Sequence, residues 1–323
     1  MRVLVLGGSG FVGRHAAAAL RSRGHSVVIG TRNPKRALQK LPPALRASLH
    51  DVDLREIHLE SLTTRYVWRP VLRDVSAVVN AASILRERGS ETYDRVHHMA
   101  PAALALACER MGVRLVHLSL LGLRRESRNR FLRSKLLGER VITETRADYS
   151  LVRPSLLDGA DGCGAWLRRV AAWPVHVYPS DAKGRMAPLD VRDLADALAK
   201  LCEMPGYAMP REIELGGSAR RTLADHLDAL RALDADRPAL QLPLPGPLVR
   251  IAAGLCDRLH LSPLTGSVLE LLRRDNLPRE NLLQALIGRA PAPVGARTPA
   301  RERAYAFTAM PAGHETPVPP NPQ

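Results

Sequence analysis

The sequence predicts an α/β fold: a doubly wound parallel sheet followed by a smaller, mostly helical C-terminal region. Three observations carry this. Short apolar runs alternate with helix-patterned segments through the first half of the chain, which is the order of parallel strands joined by helical crossovers. The first run, Val3-Leu4-Val5-Leu6, enters a glycine turn, Gly7-Gly8-Ser9-Gly10-Phe11-Val12-Gly13, and an Ala-rich helical segment follows. The chain has 323 residues, 46% of them hydrophobic, enough for one large α/β domain or two domains at about 150 residues each.

Taken in order, the strand-like runs are Val3–Leu6, Ser26–Gly30, Ala47–Leu49, Ala77–Asn80, Arg114–Leu118 and Tyr149–Val152. Helical patterns fall near Arg14–Arg23, Pro34–Lys40, Glu56–Leu62, Thr92–Met111 and Arg130–Thr145, and Trp68 and Pro70 break the segment after Leu62. In the second half, Val175–Tyr178 and Glu212–Leu215 read as strands, the latter ended by Gly216-Gly217. Asp190 is placed to cap a helix over Val191–Glu203, and Thr222 one over Leu223–Leu233. Amphipathic stretches follow at Pro247–Leu259, Thr265–Arg274 and Arg279–Ile287. The expected division is a dinucleotide-binding domain over 1–155, completed by segments around 186–215, a substrate or partner region over 156–289, and a disordered Pro/Ala-rich tail over 290–323.

Composition narrows the function classes. No run approaches the roughly 18 uncharged apolar residues of a membrane span, and the short N-terminal apolar run leads into the glycine turn rather than a signal cleavage site. A cytoplasmic protein is expected, with peripheral contact to an inner membrane open to it. Cys108, Cys163, Cys202 and Cys256 are widely spaced, so neither a zinc site nor a disulfide framework is suggested. The net charge of +15 favours anionic partners, but aromatics are only 4% and do not interleave with the arginines, so no stacking platform for nucleic acid is visible.

The glycine turn is built to hold a dinucleotide pyrophosphate. Gly7 permits the tight turn, Gly10 lets the backbone reach the phosphates, and Gly13 lets helix and strand pack closely, while the N–H groups of Phe11, Val12 and Gly13 face the anion at the helix start with Ser9 beside them. The second strand ends at Arg32, beside the place of the adenosine ribose. An acidic residue there favours NAD; an arginine can pair with a 2′-phosphate, so NADP(H) is expected ahead of NAD(H). Asp53-Leu54 are expected to reach the adenine edge. Ala81 and Ala82, after Asn80, would leave room for the cofactor, and Pro154 would wall its nicotinamide end with Arg153 lining it.

These segments, with Val79–Glu87, His117–Gly122, Ser134–Glu139, Leu151–Ser155 and Pro188–Ala195, resemble the short-chain dehydrogenase/reductase superfamily in its extended or atypical, epimerase/dehydratase-like form. The nearest likeness is to the branch of the nucleotide-binding accessory subunit of mitochondrial complex I and its bacterial relatives. The resemblance runs over residues 1–290 and implies a Rossmann-type fold with a catalytic Ser, Tyr and Lys. Ser119 fits the serine and Lys135 the lysine, but the tyrosine position is Phe131, which has no proton to exchange. Tyr93, Tyr149, His97 and His98 are the candidate stand-ins, with core or surface packing the simpler reading of each.

Three functions are therefore carried forward. The first is an NADP(H)-binding oxidoreductase with altered catalysis, passing hydride to an unidentified small molecule, quinone-like or an otherwise self-sufficient acceptor. The second is a non-catalytic, NADPH-stabilised assembly module, in contact with a respiratory complex as the resemblance implies. The third is a sugar-nucleotide epimerase or dehydratase. The cluster Arg124, Arg125, Arg128, Arg130 and Arg133 could guide an anionic substrate or meet an acidic membrane, and a solvated face is its simpler reading.

Overall fold

The computed structural model describes residues 1–39, 41–235, 237–249, 251, 254 and 265–295. Apolar runs with no polar face can be satisfied only when both faces are covered, and the first half of the chain does this. Strand β1 (Arg2–Leu6), helix α1 (Phe11–Ser22) and strand β2 (Ser26–Thr31) make the first parallel unit, with Leu4 opposite Val28. Helix α2 (Pro43–Ser48), strand β3 (Asp53–Glu56), the short helix α3 (Arg69–Leu72) and strand β4 (Ala77–Asn80) follow. Helix α4 (Ala100–Met111), strand β5 (Arg114–Leu118), helix α5 (Arg130–Glu144) and strand β6 (Tyr149–Pro154) continue the alternation.

The sheet is completed from far along the chain. Strand β7 (Leu157–Asp158), helix α6 (Gly162–Ala171), strand β8 (Val175–Pro179), strand β9 (Leu189–Asp190) and helix α7 (Val191–Glu203) intervene before strand β10 (Glu212–Leu215) lies down beside β6. The seven strands run β10-β6-β5-β4-β1-β2-β3 and every pairing is parallel, the doubly wound arrangement expected. The order reverses between β1 and β4, so the crevice for a ligand opens where the glycine turn leaves β1. One core, including α1 and α7, covers one face; a second, with Trp68 fully buried, covers the other. Asp190 caps α7, its Oδ1 accepting from the Arg192 N–H at 2.7 Å.

Beyond the sheet, helix α8 (Leu223–Arg231) carries the expected Thr222 cap as a reciprocal capping box with Asp225. It packs with α6 and with the two-stranded parallel pair β8 and β11 (Leu240–Leu244) around a third apolar cluster. Thr265 caps a helix over Gly266–Leu272, and the final described helix is Leu283–Ile287. Among the described residues no helix is long and apolar enough to cross a membrane.

Several local expectations are corrected. The run Ala47–Leu49 is not a strand. Residues 43–48 form α2, because Leu45 and Leu49, four apart, drop together into the core. The true third strand, Asp53–Glu56, sits at the sheet edge and is mostly exposed, so its polar residues show no apolar run. Pro34–Arg36 is a single 3₁₀ turn capped by Asn33, Glu56 belongs to β3, and the helix expected from Glu56 shrinks to a 3₁₀ turn at Leu59–Ser61. The helix expected from Thr92 opens as a π-helical stretch, Asp94–Met99, before α4. The tail read as disordered from 290 is anchored at its start: the Ala292 N–H donates to Asp193 Oδ2 at 2.6 Å, and Val294 is buried. Residues 296–323, Lys40, and most of the stretch Pro247–Leu259, with Cys256, lie outside the described residues.

Candidate functional site

The glycine turn is held by contacts between backbones. Gly7 has φ +68, and a side chain on it would come within 2.8 Å of the Ala82 Cα. Gly13 is closed off in the same way: a Cβ there would lie 2.7 Å from Gly8 Cα and collide with the Gly7 carbonyl oxygen. The loop after β4 that contains Ala81 and Ala82 therefore presses directly on the turn, with the Ala81 N–H donating to Leu6 O at 3.1 Å. Helix α1 starts at Phe11 with Gly10 as N-cap; no side chain caps it and its first turn carries no acid, which leaves this end suited to an anion. Ser9 Oγ lies 3.0 Å from Thr31 Oγ1, tying the turn to the end of β2. Val12 packs on the core, while the Phe11 ring turns away toward Gly159, whose missing side chain makes room for it.

At the ribose end, Arg32 follows β2 with its side chain 60% exposed, and its guanidinium is ion-paired with Glu91. Glu91 comes from the loop after β4, and no local pattern signals it, since the two residues are far apart in the chain. Asp53 and Leu54 need correction. They begin β3 rather than follow it, with Asp53 opposite Val28, so they lie toward the opposite end of the strand from the ligand crevice. Asp53 bonds Arg2 at 2.7 Å instead. The residues where β3 ends are Glu56 and Ile57; Ile57 donates its N–H to Thr31 O at 2.9 Å and its side chain packs beside Gly30. The misplaced strand alone caused this error.

Ser119 comes from the end of β5, and Phe131 and Lys135 from α5. Ser119 follows β5; its side chain is buried and its Oγ has no hydrogen-bond partner. A buried hydroxyl left unmatched is expensive, and suits a ligand that supplies the missing bond. Lys135 lies one turn after Phe131 on α5, buried, with Nζ 5.9 Å from the centre of the Phe131 ring. Burial pushes the Lys135 ammonium down to about 8, against the opposing pull of Glu139. Among the described residues no hydrogen bond or ion pair occupies Lys135. The bare backbone at the turn and the unmatched Ser119 hydroxyl fit a bound dinucleotide.

The Phe131 ring is held by an aromatic cluster. Tyr93 and His97 stand edge-on to it, centroids 5.7 and 5.2 Å away, and stack on each other. The His97 imidazole is committed to structure. Its Nε2 accepts from the Ile84 N–H at 3.0 Å, so Nδ1 carries the proton toward Ser134 Oγ at 3.1 Å. Burial holds its pKa well below the ordinary value, and the Lys135 charge adds to this. Gly138 lets the π-helical turn dock on α5, since a Cβ there would strike the His97 carbonyl.

The other stand-ins are accounted for similarly. Tyr93 donates its hydroxyl to Leu85 O at 2.7 Å, Tyr149 is buried at the start of β6, and His98 pairs with Asp94 at 2.8 Å. Pro154 ends β6 beside Leu215, and the Arg153 side chain is taken up by carboxylates: Glu139 grips its guanidinium at 2.7 Å and Glu212 at 2.7 Å. Of the basic cluster, Arg130 pairs with Glu87 at 2.9 Å, while Arg124 and Arg128 border a polar cleft with Arg273, Arg274 and Asp275.

A parallel seven-stranded sheet with a glycine turn at its first crossover defines a dinucleotide-binding protein of the extended short-chain dehydrogenase/reductase superfamily. The chain belongs to the NAD dependent epimerase/dehydratase family, whose model matches residues 3–216. It is 22% identical over 262 residues, covering 80% of this chain and 71% of the relative, to "NADH dehydrogenase [ubiquinone] 1 alpha subcomplex subunit 9, mitochondrial" of Dictyostelium discoideum. It is 25% identical over 285 residues, covering 85% and 86%, to "Ceramide reductase" of Caulobacter vibrioides. Among solved structures, UDP-glucuronic acid 4-epimerase of Bacillus cereus, in complex with UDP-glucuronic acid and NAD, superposes with a TM-score of 0.64 at 14% identity, covering 91% of this chain and 95% of that one. A tyrosine-to-phenylalanine mutant of the same epimerase, holding NAD and a fluorinated analogue, gives 0.63 at 15% identity over 91% and 96%. At these identities the structures establish the fold.

Proposed function

We propose that this protein is an NADP(H)-dependent oxidoreductase in which Lys135, with Ser119, serves the reacting oxygen in place of a tyrosine. The observation that carries the reading is the pairing of Phe131 with a buried, unoccupied Lys135 one helical turn away. A bound NADPH would supply the hydride. Ser119 Oγ donates the hydrogen bond it lacks to the substrate oxygen. Lys135 Nζ, with its pKa near 8, holds a proton that it can release to that oxygen and regain from water. The Caulobacter relative is named a reductase, and the mutant epimerase holds NAD in the same fold after a tyrosine-to-phenylalanine change.

The test is a pH profile of NADPH oxidation against long- and short-chain aldehydes and ketones. The ammonium form is the working one, so kcat/KM should be flat below the lysine pKa and fall as pH rises through about 8. Lys135→Met should lower kcat by about 10²-fold or more. A profile with no break there, or an unimpaired Lys135→Met enzyme, sinks the assignment. The assembly-module reading is favoured by the similarity to the complex I subunit; stoichiometric NADPH without turnover against any acceptor supports it instead.

The NADP(H) preference rests on Arg32, and Glu91 tempers it. A 2′-phosphate must win the guanidinium from that carboxylate, which screens the site while it is empty. Arg32→Ala is expected to weaken NADPH binding by about tenfold, as a lost charge-assisted bond does, and leave NADH binding nearly unchanged. Glu91→Gln should strengthen NADPH binding severalfold. Titrating both dinucleotides by fluorescence separates the two, and equal wild-type affinities remove the preference.

A further inference from the structure

The third apolar cluster does not close on itself. It surrounds a cavity of about 440 Å³ formed by α6, α8, the β8/β11 pair and the helix over Gly266–Leu272. This is within the range of small-molecule sites, about 300–1,000 Å³. Among the described residues no charged side chain lines it; its wall is made of groups such as Trp166, Leu227, Met186 and Leu156. A nucleotide sugar seated here would bury its hydroxyls and phosphates without partners, at a cost of several kcal/mol. A hydrocarbon would bury only surface that water disfavours.

Two parts of the lining define the occupant further. Leu156 follows Pro154 by two residues, so this part of the wall lies within about 7 Å of chain from the carboxyl end of β6, where the substrate oxygen would be held. Val177 and Leu248 also line the cavity and are 50% and 57% exposed, so it opens to solvent beside them. They adjoin further exposed apolar groups: Leu242 stands opposite Val177 in the β8/β11 ladder, and Leu240 opposite Val175. A compact apolar molecule would need no such outlet. A long chain anchored by a polar, reacting end at the sheet would fill the cavity and leave by this mouth.

We propose that the cavity takes the long hydrocarbon chain of an amphiphilic substrate whose reacting oxygen lies at Ser119 and Lys135. This names the substrate class for the oxidoreductase site and rests on that reading, while chain binding itself can be measured apart from it. The probe is cis-parinaric acid, an 18-carbon fatty acid whose fluorescence rises in apolar surroundings, titrated into the full-length protein. Saturable binding of one probe per chain is expected. Hexadecanol and hexadecanoic acid should both displace it and butanoic acid should not; displacement by the acid alone would place recognition in the charged head and overturn the proposal.

Val177→Asp and Leu248→Asp change exposed positions, so the fold should survive, and each should weaken probe binding at least tenfold with NADPH affinity unchanged. Wild-type affinity in both variants, or no saturable uptake by the wild-type chain, overturns the proposal. Probe binding that persists in a protein without NADPH turnover upholds the cavity and removes only the oxidoreductase reading.

Discussion

Phe131→Tyr is expected to raise the rate of NADPH-dependent carbonyl reduction by about 10²-fold. A positioned general acid contributes about 10²–10⁴ in rate, and the lower end applies because on the proposed reading Lys135 already supplies a proton. The position is prepared for the change. The Phe131 ring is clamped edge-on by Tyr93 and His97, so a tyrosine ring would inherit the same orientation. The Lys135 ammonium, 5.9 Å from the ring centre, would favour the phenolate and lower a pKa that is ordinarily near 10. The new acid would also relieve Lys135 of that role, so the alkaline fall near pH 8 should move or weaken. Single-turnover NADPH oxidation with an aldehyde panel measures both effects. A variant that folds, binds NADPH and shows no gain would mean that Phe131 does not face the reacting oxygen.

The parts of this site that were legible in the sequence are those carried by contiguous residues. The glycine turn and the caps at Asp190 and Thr222 each lie within one short segment, where the physical requirement falls on neighbours. Strand β3 was not legible, because an edge strand can be polar, and the apolar residues preceding it serve a helix. That single misplacement put the expected adenine contact at Asp53-Leu54, which begin the strand rather than end it. The Arg32–Glu91 pair and the apolar cavity were hidden for a different reason. Both are assembled from segments far apart in the chain, and each contributing segment looks like ordinary surface or core by itself.

Gly13→Ala is expected to unsettle both the fold and the cofactor site, while Gly10→Ala should damage only the latter. In a helix, alanine is better than glycine by about 1 kcal/mol, so Gly13→Ala has a gain to set against its collision. The collision wins. The new Cβ meets Gly7 and Gly8 backbone, which no rotamer change can move, and displacing packed backbone typically costs about 1–3 kcal/mol. A net loss of about 1–2 kcal/mol should lower the midpoint of thermal unfolding by several degrees. Since α1 must also shift from the turn, NADPH affinity should fall at least tenfold. Gly10 has φ −78 and ψ 176, open to any residue, and its Cβ would meet only the Gly7 carbonyl oxygen at 3.1 Å. Alanine there should leave the unfolding midpoint within about two degrees while placing a methyl where the pyrophosphate must approach. Calorimetry of the apo proteins and NADPH titration separate the two roles. If Gly10→Ala binds NADPH as well as the wild type, the phosphates do not pass over this turn.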